Sequence, residues 1–457
     1  MDPAEDPPAR PVSDARRRLV DRRFWLLLGL ITAAALAVRV GYLLVVDPAI
    51  GEISDAGAYH RLANNLADGR GYIRPYDLAQ EGIARPTAEY PPLFPTVLAG
   101  ASLLGVTSID GQRLFLCGLG ATTVLVIALV GRRVGGAAVG LVAAALAAGY
   151  PMLFQSDAAL MPETLAALAG ALIVLTALRA RVSAAWWRWG ALGAVIVASA
   201  LTRTETLLFL PLLVVPLAWR LADADRRRQV LLIGVAVLAA AAVLAPWTVR
   251  NLLTFDRFVP FSNNSGSALR GANCDLTYGG ELRGLWITSV SSGDGPSTVD
   301  PDDRCFGGFE FGPGEDESEV AAEERAEGLA YARAHLGEVP GVMAVRWLRT
   351  FGLYRFDQQT GFESFEGRNL AVQRAGTRAF HGLAVMALAG AVVLVRRRGP
   401  LWPLASTVVV VTITALVTYG NQRFRATAEP AVVVLAAIAL VAAGTWLLRR
   451  TKAAAPA

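Results

Sequence analysis

The stretch FWLLLGLITAAALAVRVGYLLVV, from Phe24 to Val46, holds a single charged residue, Arg39. A helix needs about 20 apolar residues to cross the hydrocarbon core of a bilayer, and its backbone polar groups must be satisfied within the segment. Further apolar runs lie near residues 112–130, 134–150, 163–180, 187–202, 204–220, 229–247, 376–395, 400–419 and 427–449. Together these runs predict an all-α polytopic membrane protein with about ten transmembrane helices.

The composition of the 457-residue chain also points to a bilayer. It is 54% hydrophobic and only 18% charged, with a mean hydropathy of +0.43, which excludes an ordinary soluble protein. The net charge of +5 arises from short basic clusters between apolar runs, and no nucleic-acid-binding motif accompanies them. We therefore expect the lipid bilayer, and no nucleic acid, as a partner. Lys452 is the single lysine among many arginines, which suggests a GC-rich bacterial source.

The positions of the basic loops predict the orientation, because cytoplasmic loops carry an excess of Arg and Lys. The arginines at 16–18, 22 and 23 precede the first span, so the N-terminus is predicted to be cytoplasmic. Because consecutive loops lie on opposite sides, all the remaining basic clusters are then predicted on that same side. These clusters are Arg132 and Arg133, Arg179, Arg181 and Arg188, Arg226 to Arg228, Arg396 to Arg398, and the tail with Arg449, Arg450 and Lys452. The pattern predicts a multi-pass protein of the bacterial inner membrane with both termini in the cytoplasm.

Two segments are predicted to lie at the outer interface. Pro91 to Gly105 is apolar but too short to cross the bilayer, and as a full span it would reverse the side of all later loops. Residues 341–356 mix aromatic side chains with Arg346, Arg349 and Arg355, a composition typical of an interfacial helix.

Four regions follow from these spans. Residues 1–22 are predicted to be a disordered cytoplasmic tail, and residues 23–247 a transmembrane module with a first outer loop at 47–110. Residues 248–375 form a long outer loop, and residues 376–450 the C-terminal transmembrane helices. Cys274 and Cys305 share the long loop, so a disulfide is expected if that loop faces an oxidising compartment.

The first outer loop contains SDAGAYHRLANNLADGRGY, from Ser54 to Tyr72. Apolar residues recur there at helical spacing, which predicts a short amphipathic helix that ends before Gly69. Asp55 lies at its start, where an Asp commonly caps a helix N-terminus. Capping is therefore the structural interpretation of Asp55.

The order of motifs supports a functional interpretation. Asp55 and Tyr59 are followed by the segment Glu89-Tyr90-Pro91-Pro92-Leu93, and PWTVRNLLTFDRFVPFSNNSG at 246–266 begins the long outer loop. This order resembles the GT-C superfamily of membrane glycosyltransferases. It is closest to the family 39-like group, which includes protein O-mannosyltransferases and lipid A aminoarabinose transferases. The resemblance covers most of residues 24–265 and is thin in the rest of the long loop.

The resemblance implies an inverting glycosyltransferase that moves a sugar from a polyprenyl-phosphate donor to a cell-envelope acceptor on the outer face. The acceptor could be a protein, a lipid or a polysaccharide. By analogy, Asp55 is the catalytic base. No cofactor is required, and a divalent cation at Asp157 and Glu163 is the weaker alternative. The candidates for binding the donor phosphate are Arg203, Arg250, Arg423 and Arg425, and those for lining the substrate site are Tyr59, His60, Glu89, Tyr90, Glu163 and Asn251.

Two other classes of function are compatible with many helices and basic outer residues. A transporter or flippase of lipid-linked sugars usually shows repeat symmetry and charged or broken helices near the bilayer midplane, whereas these spans carry few charges at mid-depth. A non-catalytic envelope assembly subunit could keep the fold. Asp55 together with outer arginines argues mildly against the second alternative.

Overall fold

The computed structural model describes residues 14–46, 50–51, 54–221, 224–287, 305, 316–364 and 366–453. Within these residues the chain is helical, and the sole extended pairing is an isolated bridge between Ile73 and Pro86. The prediction of an all-α protein is therefore confirmed. Residues 1–13 of the predicted tail lie outside the described part, and the first helix already begins at Asp14.

The N-terminal half alternates long apolar helices with short outer ones. Its helices are α1 (Asp14–Val46), α2 (Asp55–Ala67), α3 (Pro75–Glu81), α4 (Leu93–Leu103), α5 (Ile109–Gly149), α6 (Pro151–Ala158), α7 (Glu163–Ala180), α8 (Trp186–Ala200), α9 (Val215–Trp219) and α10 (Arg226–Leu252). A 3-10 turn (Thr204–Leu208) and a π turn (Leu210–Val214) precede α9.

The described part of the C-terminal half begins with five helices of the segment predicted to be outer and ends with three apolar ones. The outer helices are α11 (Ser265–Ala272), α12 (Asp275–Tyr278), α13 (Glu317–Ala334), α14 (Val339–Thr350) and α15 (Phe356–Ser364). The apolar helices are α16 (Leu370–Arg396), α17 (Trp402–Val417) and α18 (Glu429–Ala453), with a 3-10 turn (Gln422–Thr427) before α18.

Among the described residues, six helical segments are long and apolar enough to cross a membrane. They are Asp21–Val46, Ile109–Gly149, Glu163–Ala180, Arg226–Leu252, Leu370–Arg396 and Glu429–Thr451. The 41-residue helix α5 contains two predicted runs, and Gly136 interrupts it with φ 85°, a conformation that glycine adopts without a Cβ penalty. The remaining predicted runs form the shorter helices α8 and α17 and the broken helix Thr204–Trp219. A count of ten spans remains a prediction.

The segment predicted to stay at the interface forms the short helix α4. Its 11 residues rise only about 16 Å, roughly half of the hydrocarbon core. Phe94 and Leu98 are buried and pack with Tyr59 and Leu62 of α2. The helix therefore packs with the rest of the first outer loop, and its place at the interface remains a prediction.

Several of the loops predicted to be cytoplasmic contact one another. Arg132 Nη2 is 2.6 Å from the Asp21 carboxylate, although more than a hundred residues separate them. Arg228 Nη2 donates to the Ala184 carbonyl at 2.9 Å. These contacts support the alternation of loops that was predicted from charge. Which end faces the cytoplasm remains a prediction.

A buried glutamate joins the first outer loop to the long outer segment. The Glu317 carboxylate, at 2% exposure, accepts hydrogen bonds from Thr87 Oγ1 at 2.7 Å, the Ala88 amide at 2.8 Å and Asn263 Nδ2 at 2.9 Å. Arg74 Nη1 lies 3.2 Å from the same carboxylate. We call these five residues the Glu317 cluster. It holds the two outer segments as one body.

The interpretation of residues 341–356 as an interfacial helix is corrected by the structure. Arg346 and Arg349 of α14 are 3% and 0% exposed. Arg346 donates to the Ala272 carbonyl at 2.5 Å, and Arg349 donates to the Arg283 carbonyl at 2.6 Å. Their guanidinium groups therefore satisfy backbone oxygens inside the outer segment. They do not face lipid headgroups.

Candidate active site

Asp55 lies at the start of α2 without capping it. Ser54 is the N-cap, and its Oγ accepts from the Gly57 amide at 3.1 Å. The Asp55 side chain is 43% exposed and accepts a hydrogen bond from the Tyr90 hydroxyl at 3.0 Å. The structural interpretation of Asp55 is therefore wrong, because the neighbouring serine performs the capping. The carboxylate is available at the surface.

Two tyrosines lie next to the Asp55 carboxylate. Tyr59 is buried, with its ring centroid 4.6 Å from that of Tyr90 and 4.9 Å from that of Phe94. Burial and the nearby Asp55 charge raise the pKa of Tyr90 well above its ordinary value. Its hydroxyl thus keeps its proton and orients Asp55. Tyr59 belongs to the packed layer beneath the site.

Glu163 is the centre of a second buried cluster. It begins α7 and is only 2% exposed. Its Oε1 accepts from Arg423 Nε at 2.7 Å and from Arg203 Nη1 at 3.2 Å, and its Oε2 accepts from Arg368 Nη2 at 3.3 Å. We call these four residues the Glu163 cluster. Three guanidinium groups thus converge on Glu163, and each is shared with a further carboxylate: Arg203 with Glu205, Arg368 with Glu363 and Arg423 with Glu366.

Arg423 connects the Glu163 cluster to the exposed carboxylate of Asp55. Its Nη1 lies 3.8 Å from Asp55 Oδ2 and donates to Glu366 Oε1. Arg203 also pairs with Glu163, and its guanidinium lies 5.1 Å from the centroid of the Phe424 ring. The exposed base candidate and a guanidinium suited to phosphate are therefore adjacent.

Sequence analysis did not find Glu366 and Arg368. Both follow α15, in a part of the long outer segment that carries no family motif, and Arg368 reaches Glu163 across 205 positions of sequence. The available signal was the EGR sequence at 366–368 just before an apolar helix, where charged residues would line an outer helix end.

Glu89 lies on the side of the site that faces the Glu317 cluster. Its Oε2 is 3.6 Å from Arg74 Nη1. Burial raises the pKa of Glu89 to about 8, with Glu317, Asp55 and Asp77 also raising it and Arg74 opposing the shift. The side chain is therefore largely neutral near pH 7. This position of Glu89 is compatible with the prediction that it lines the substrate site.

The predicted divalent cation at Asp157 and Glu163 does not fit this geometry. Asp157 is buried and pairs with Arg39 Nε at 2.6 Å, whereas Glu163 pairs with three other arginines. Each carboxylate is thus already neutralised by a cation of the protein. Within the part of the chain that the structure describes, no group of three or more His, Cys, Asp or Glu side chains could hold a metal ion.

Arg250 and Asn251 form structural contacts at the end of α10. Arg250 donates to the carbonyls of Thr87 and Tyr72, both at 3.0 Å, so it fixes the first outer loop. Asn251 Nδ2 donates to the Val259 carbonyl at 2.9 Å. A role of either residue in binding the donor has no geometric support.

Arg425 also faces the interior. It is 1% exposed, with Nε 3.2 Å from Glu429 and Nη1 donating to the Thr350 carbonyl at 3.1 Å. Its guanidinium lies 3.8 Å from the Phe380 ring centroid. Of the two neighbouring arginines in this 3-10 turn, Arg423 is therefore the one next to Asp55.

His60 and the two cysteines complete the predicted set. His60 Nδ1 lies 3.0 Å from Gln112 Oε1, so the imidazole contacts α5. Cys274 and Cys305 are joined by a disulfide, with their Cα atoms 5.5 Å apart. Cys117, the remaining cysteine, is buried.

Comparison with known proteins identifies the fold. No family model matches the sequence, and no curated protein sequence does. The Archaeoglobus fulgidus oligosaccharyltransferase in its apo form superposes with a TM-score of 0.52 at 14% identity, over 94% of this chain and 51% of that one. The archaeal oligosaccharyltransferase AglB from the same organism, in complex with an inhibitory peptide and a dolichol-phosphate, gives a TM-score of 0.50 at 14% identity, covering 95% and 52% of the two chains.

A third solved structure is ArnT from Cupriavidus metallidurans bound to undecaprenyl phosphate, with a TM-score of 0.40, 17% identity, and coverage of 94% of this chain and 81% of that one. The chain spans about half the length of the oligosaccharyltransferases that it matches. The resemblance to the GT-C superfamily that was stated from sequence is confirmed at the level of fold: the chain has the fold of the GT-C membrane glycosyltransferases.

Proposed function

We propose that this protein is an inverting glycosyltransferase that uses a polyprenyl-phosphate sugar as donor. The observation that carries the proposal is the exposed Asp55 carboxylate, oriented by Tyr90 and 3.8 Å from Arg423. A base beside a guanidinium is what the transfer requires, since a proton must leave the acceptor while negative charge develops on the leaving phosphate.

The reaction follows from these positions. An acceptor hydroxyl transfers its proton to Asp55 as its oxygen attacks the anomeric carbon from the face opposite the phosphate. The new C–O bond forms as the bond between that carbon and the phosphate oxygen breaks, and the leaving polyprenyl phosphate keeps the electron pair. Arg423, with Arg203 behind it, stabilises the charge on that phosphate.

The cellular setting belongs to the same proposal. We place the enzyme in the bacterial inner membrane, with its termini in the cytoplasm and the Asp55 site on the outer face. The polyprenyl tail would lie in the bilayer, and the acceptor would be a protein, a lipid or a polysaccharide of the cell envelope. A dolichol-phosphate bound to AglB, which shares this fold, supports a lipid-linked donor. The mechanism assigns no step to a metal or an organic cofactor.

A flippase of lipid-linked sugars is the second candidate. The buried pair of Arg39 and Asp157 favours it, because charges within a membrane bundle often mark a transport pathway. That function does not require a base at Asp55. A transfer assay distinguishes the two candidates.

The test is sugar transfer from a panel of radiolabelled polyprenyl-phosphate sugars into membrane acceptors. Membranes that contain the protein should label an acceptor with at least one donor, and membranes without the protein should not. If no donor in the panel labels an acceptor while the protein moves labelled donor across vesicles, the flippase is correct and the transferase is wrong.

A further inference from the structure

The nitrogen of Arg423 nearest Asp55 already has a carboxylate partner. Nη1 donates to Glu366 Oε1, and Nε donates to Glu163 at 2.7 Å. Carboxylate and phosphate oxygens bind the same N–H edge of a guanidinium group. A phosphate that accepts the Nη1 hydrogen now donated to Glu366 therefore replaces an acceptor that is present without it.

The two carboxylates on Arg423 differ in how readily they can leave. Glu163 is 2% exposed and is shared with Arg203 and Arg368, so its removal would take a buried carboxylate from three arginines at once. The Glu366 side chain is 25% exposed and is followed by Gly367, whose φ of 72° places a turn there. Glu366 is the acceptor that can be exchanged.

We infer that Glu366 occupies on Arg423 the position that the donor phosphate takes, so that donor binding exchanges this carboxylate for the phosphate. The inference rests on the proposed function, because it brings the phosphate to Arg423. It makes Glu366 a specificity-determining residue: a doubly or singly charged phosphate can displace a carboxylate from a guanidinium, whereas a neutral polyprenol cannot.

The surroundings of Glu366 make the exchange feasible. Arg368 Nη1 lies 3.6 Å from its other oxygen and can retain the carboxylate after Arg423 is released. The pKa of Glu366 is raised to about 7. Burial is the main cause, the Glu363 and Asp55 charges add to it, and Arg423 and Arg368 oppose the shift. Burial raises the pKa of Tyr419, and the Glu366 charge adds to that shift. A carboxyl group with this pKa gives up its charge near neutral pH.

The experiment measures equilibrium binding to the purified full chain in detergent. The probes are a short-chain polyprenyl phosphate, the polyprenol of equal length and inorganic phosphate. The variants are Glu366→Gln, which removes the competing charge, and Glu366→Asp, which keeps it. The matched control is Glu327→Gln, which removes the charge of a 48%-exposed partner of Arg270 away from the site.

Glu366→Gln should bind the polyprenyl phosphate about tenfold or more tightly than the wild type, the size of one charge-assisted hydrogen bond. Glu366→Asp and Glu327→Gln should stay within about threefold of the wild type. Equal or weaker binding by Glu366→Gln would overturn the exchange and leave the proposed function intact, and so would an equal gain in the Glu327→Gln control.

Two further results bear on the proposed function itself. If inorganic phosphate shows the same order of affinities and the lipid adds nothing, the exchange at Arg423 stands and the lipid-linked donor is wrong. If the wild type and Glu366→Gln bind polyprenyl phosphate no better than polyprenol, both the exchange and the donor class are wrong.

Discussion

The Glu163 and Glu317 clusters are each built around a glutamate that is 2% exposed, but their partners differ. Glu317 accepts mainly from neutral donors, namely a hydroxyl, an amide and a side-chain carboxamide, together with one arginine. Glu163 accepts from three arginines, one of which also reaches the exposed Asp55. The donors to Glu317 hold two segments together. The arginines around Glu163, which also pair with Glu205, Glu363 and Glu366, instead extend through Arg423 to the exposed Asp55, where an anionic ligand can bind.

This comparison predicts that the Glu163 cluster affects catalysis most through Arg423. Arg423→Gln should lower sugar transfer by about a hundredfold or more, because one preorganised charge that stabilises the leaving group is lost. The measurement is kcat/KM with the best donor. The control is Arg257→Gln, whose side chain is 64% exposed and only 3.9 Å from Glu319. Equal activity of Arg423→Gln and the control would place phosphate binding elsewhere.

The Glu317 cluster should affect stability instead. In Glu317→Gln, Ala88 and Asn263 can keep one amide oxygen, but an amide NH2 replaces the oxygen that accepts from Thr87 and Arg74, which should cost about 2–4 kcal/mol of unfolding free energy. Chemical unfolding in detergent measures this loss, with Glu319→Gln on the same helix as the 30%-exposed control. Loss of transfer with unchanged stability would instead assign Glu317 to the chemistry.

Glu89 lies between the two clusters and should give the smallest effect, through pH. Its pKa is raised to about 8 in the folded protein, so the native state holds a proton that the unfolded chain releases near pH 4.5. The free energy of unfolding that Glu89 contributes is therefore lost as the pH rises from about 4.5 to about 8. The groups that face Glu89 are Arg74, Glu317, Asp55 and Asp77.

Melting curves between about pH 6 and pH 9 test this prediction. The melting temperature of the wild type should fall more steeply than that of Glu89→Gln, by about 1–2 °C over the range. Glu81→Gln, whose side chain is 54% exposed, should follow the wild type. Parallel curves for the wild type and Glu89→Gln would contradict the raised pKa.

Much of the fold could be predicted because insertion into lipid depends on composition. Each apolar run became a helix or, at 204–219, a series of helical turns, and α4 was too short to span. The arginines of α14 were misjudged because the backbone carbonyls that bury them come from distant residues, and such partners are invisible in local periodicity.

The site was predicted in part, because local sequence shows motifs but does not show contacts between distant residues. Asp55 and Arg423 lie in segments with recognisable order, and the structure brings them together. Glu366 and Arg368 belong to the site only through their contacts with Arg423 and Glu163, which are far away in sequence. The choice of Arg423 over Arg425 and Arg250 likewise depended on which way each guanidinium points.

The central claim is that Asp55 is the base of a glycosyl transfer. The most direct measurement compares transfer by the wild type, Asp55→Asn and Asp68→Asn, all at equal expression, with the best donor of the panel. Asp68 ends the same helix and is 57% exposed, so its variant is a matched control. We predict that Asp55→Asn loses at least about two orders of magnitude of transfer while Asp68→Asn keeps it. Undiminished transfer by Asp55→Asn would contradict the account.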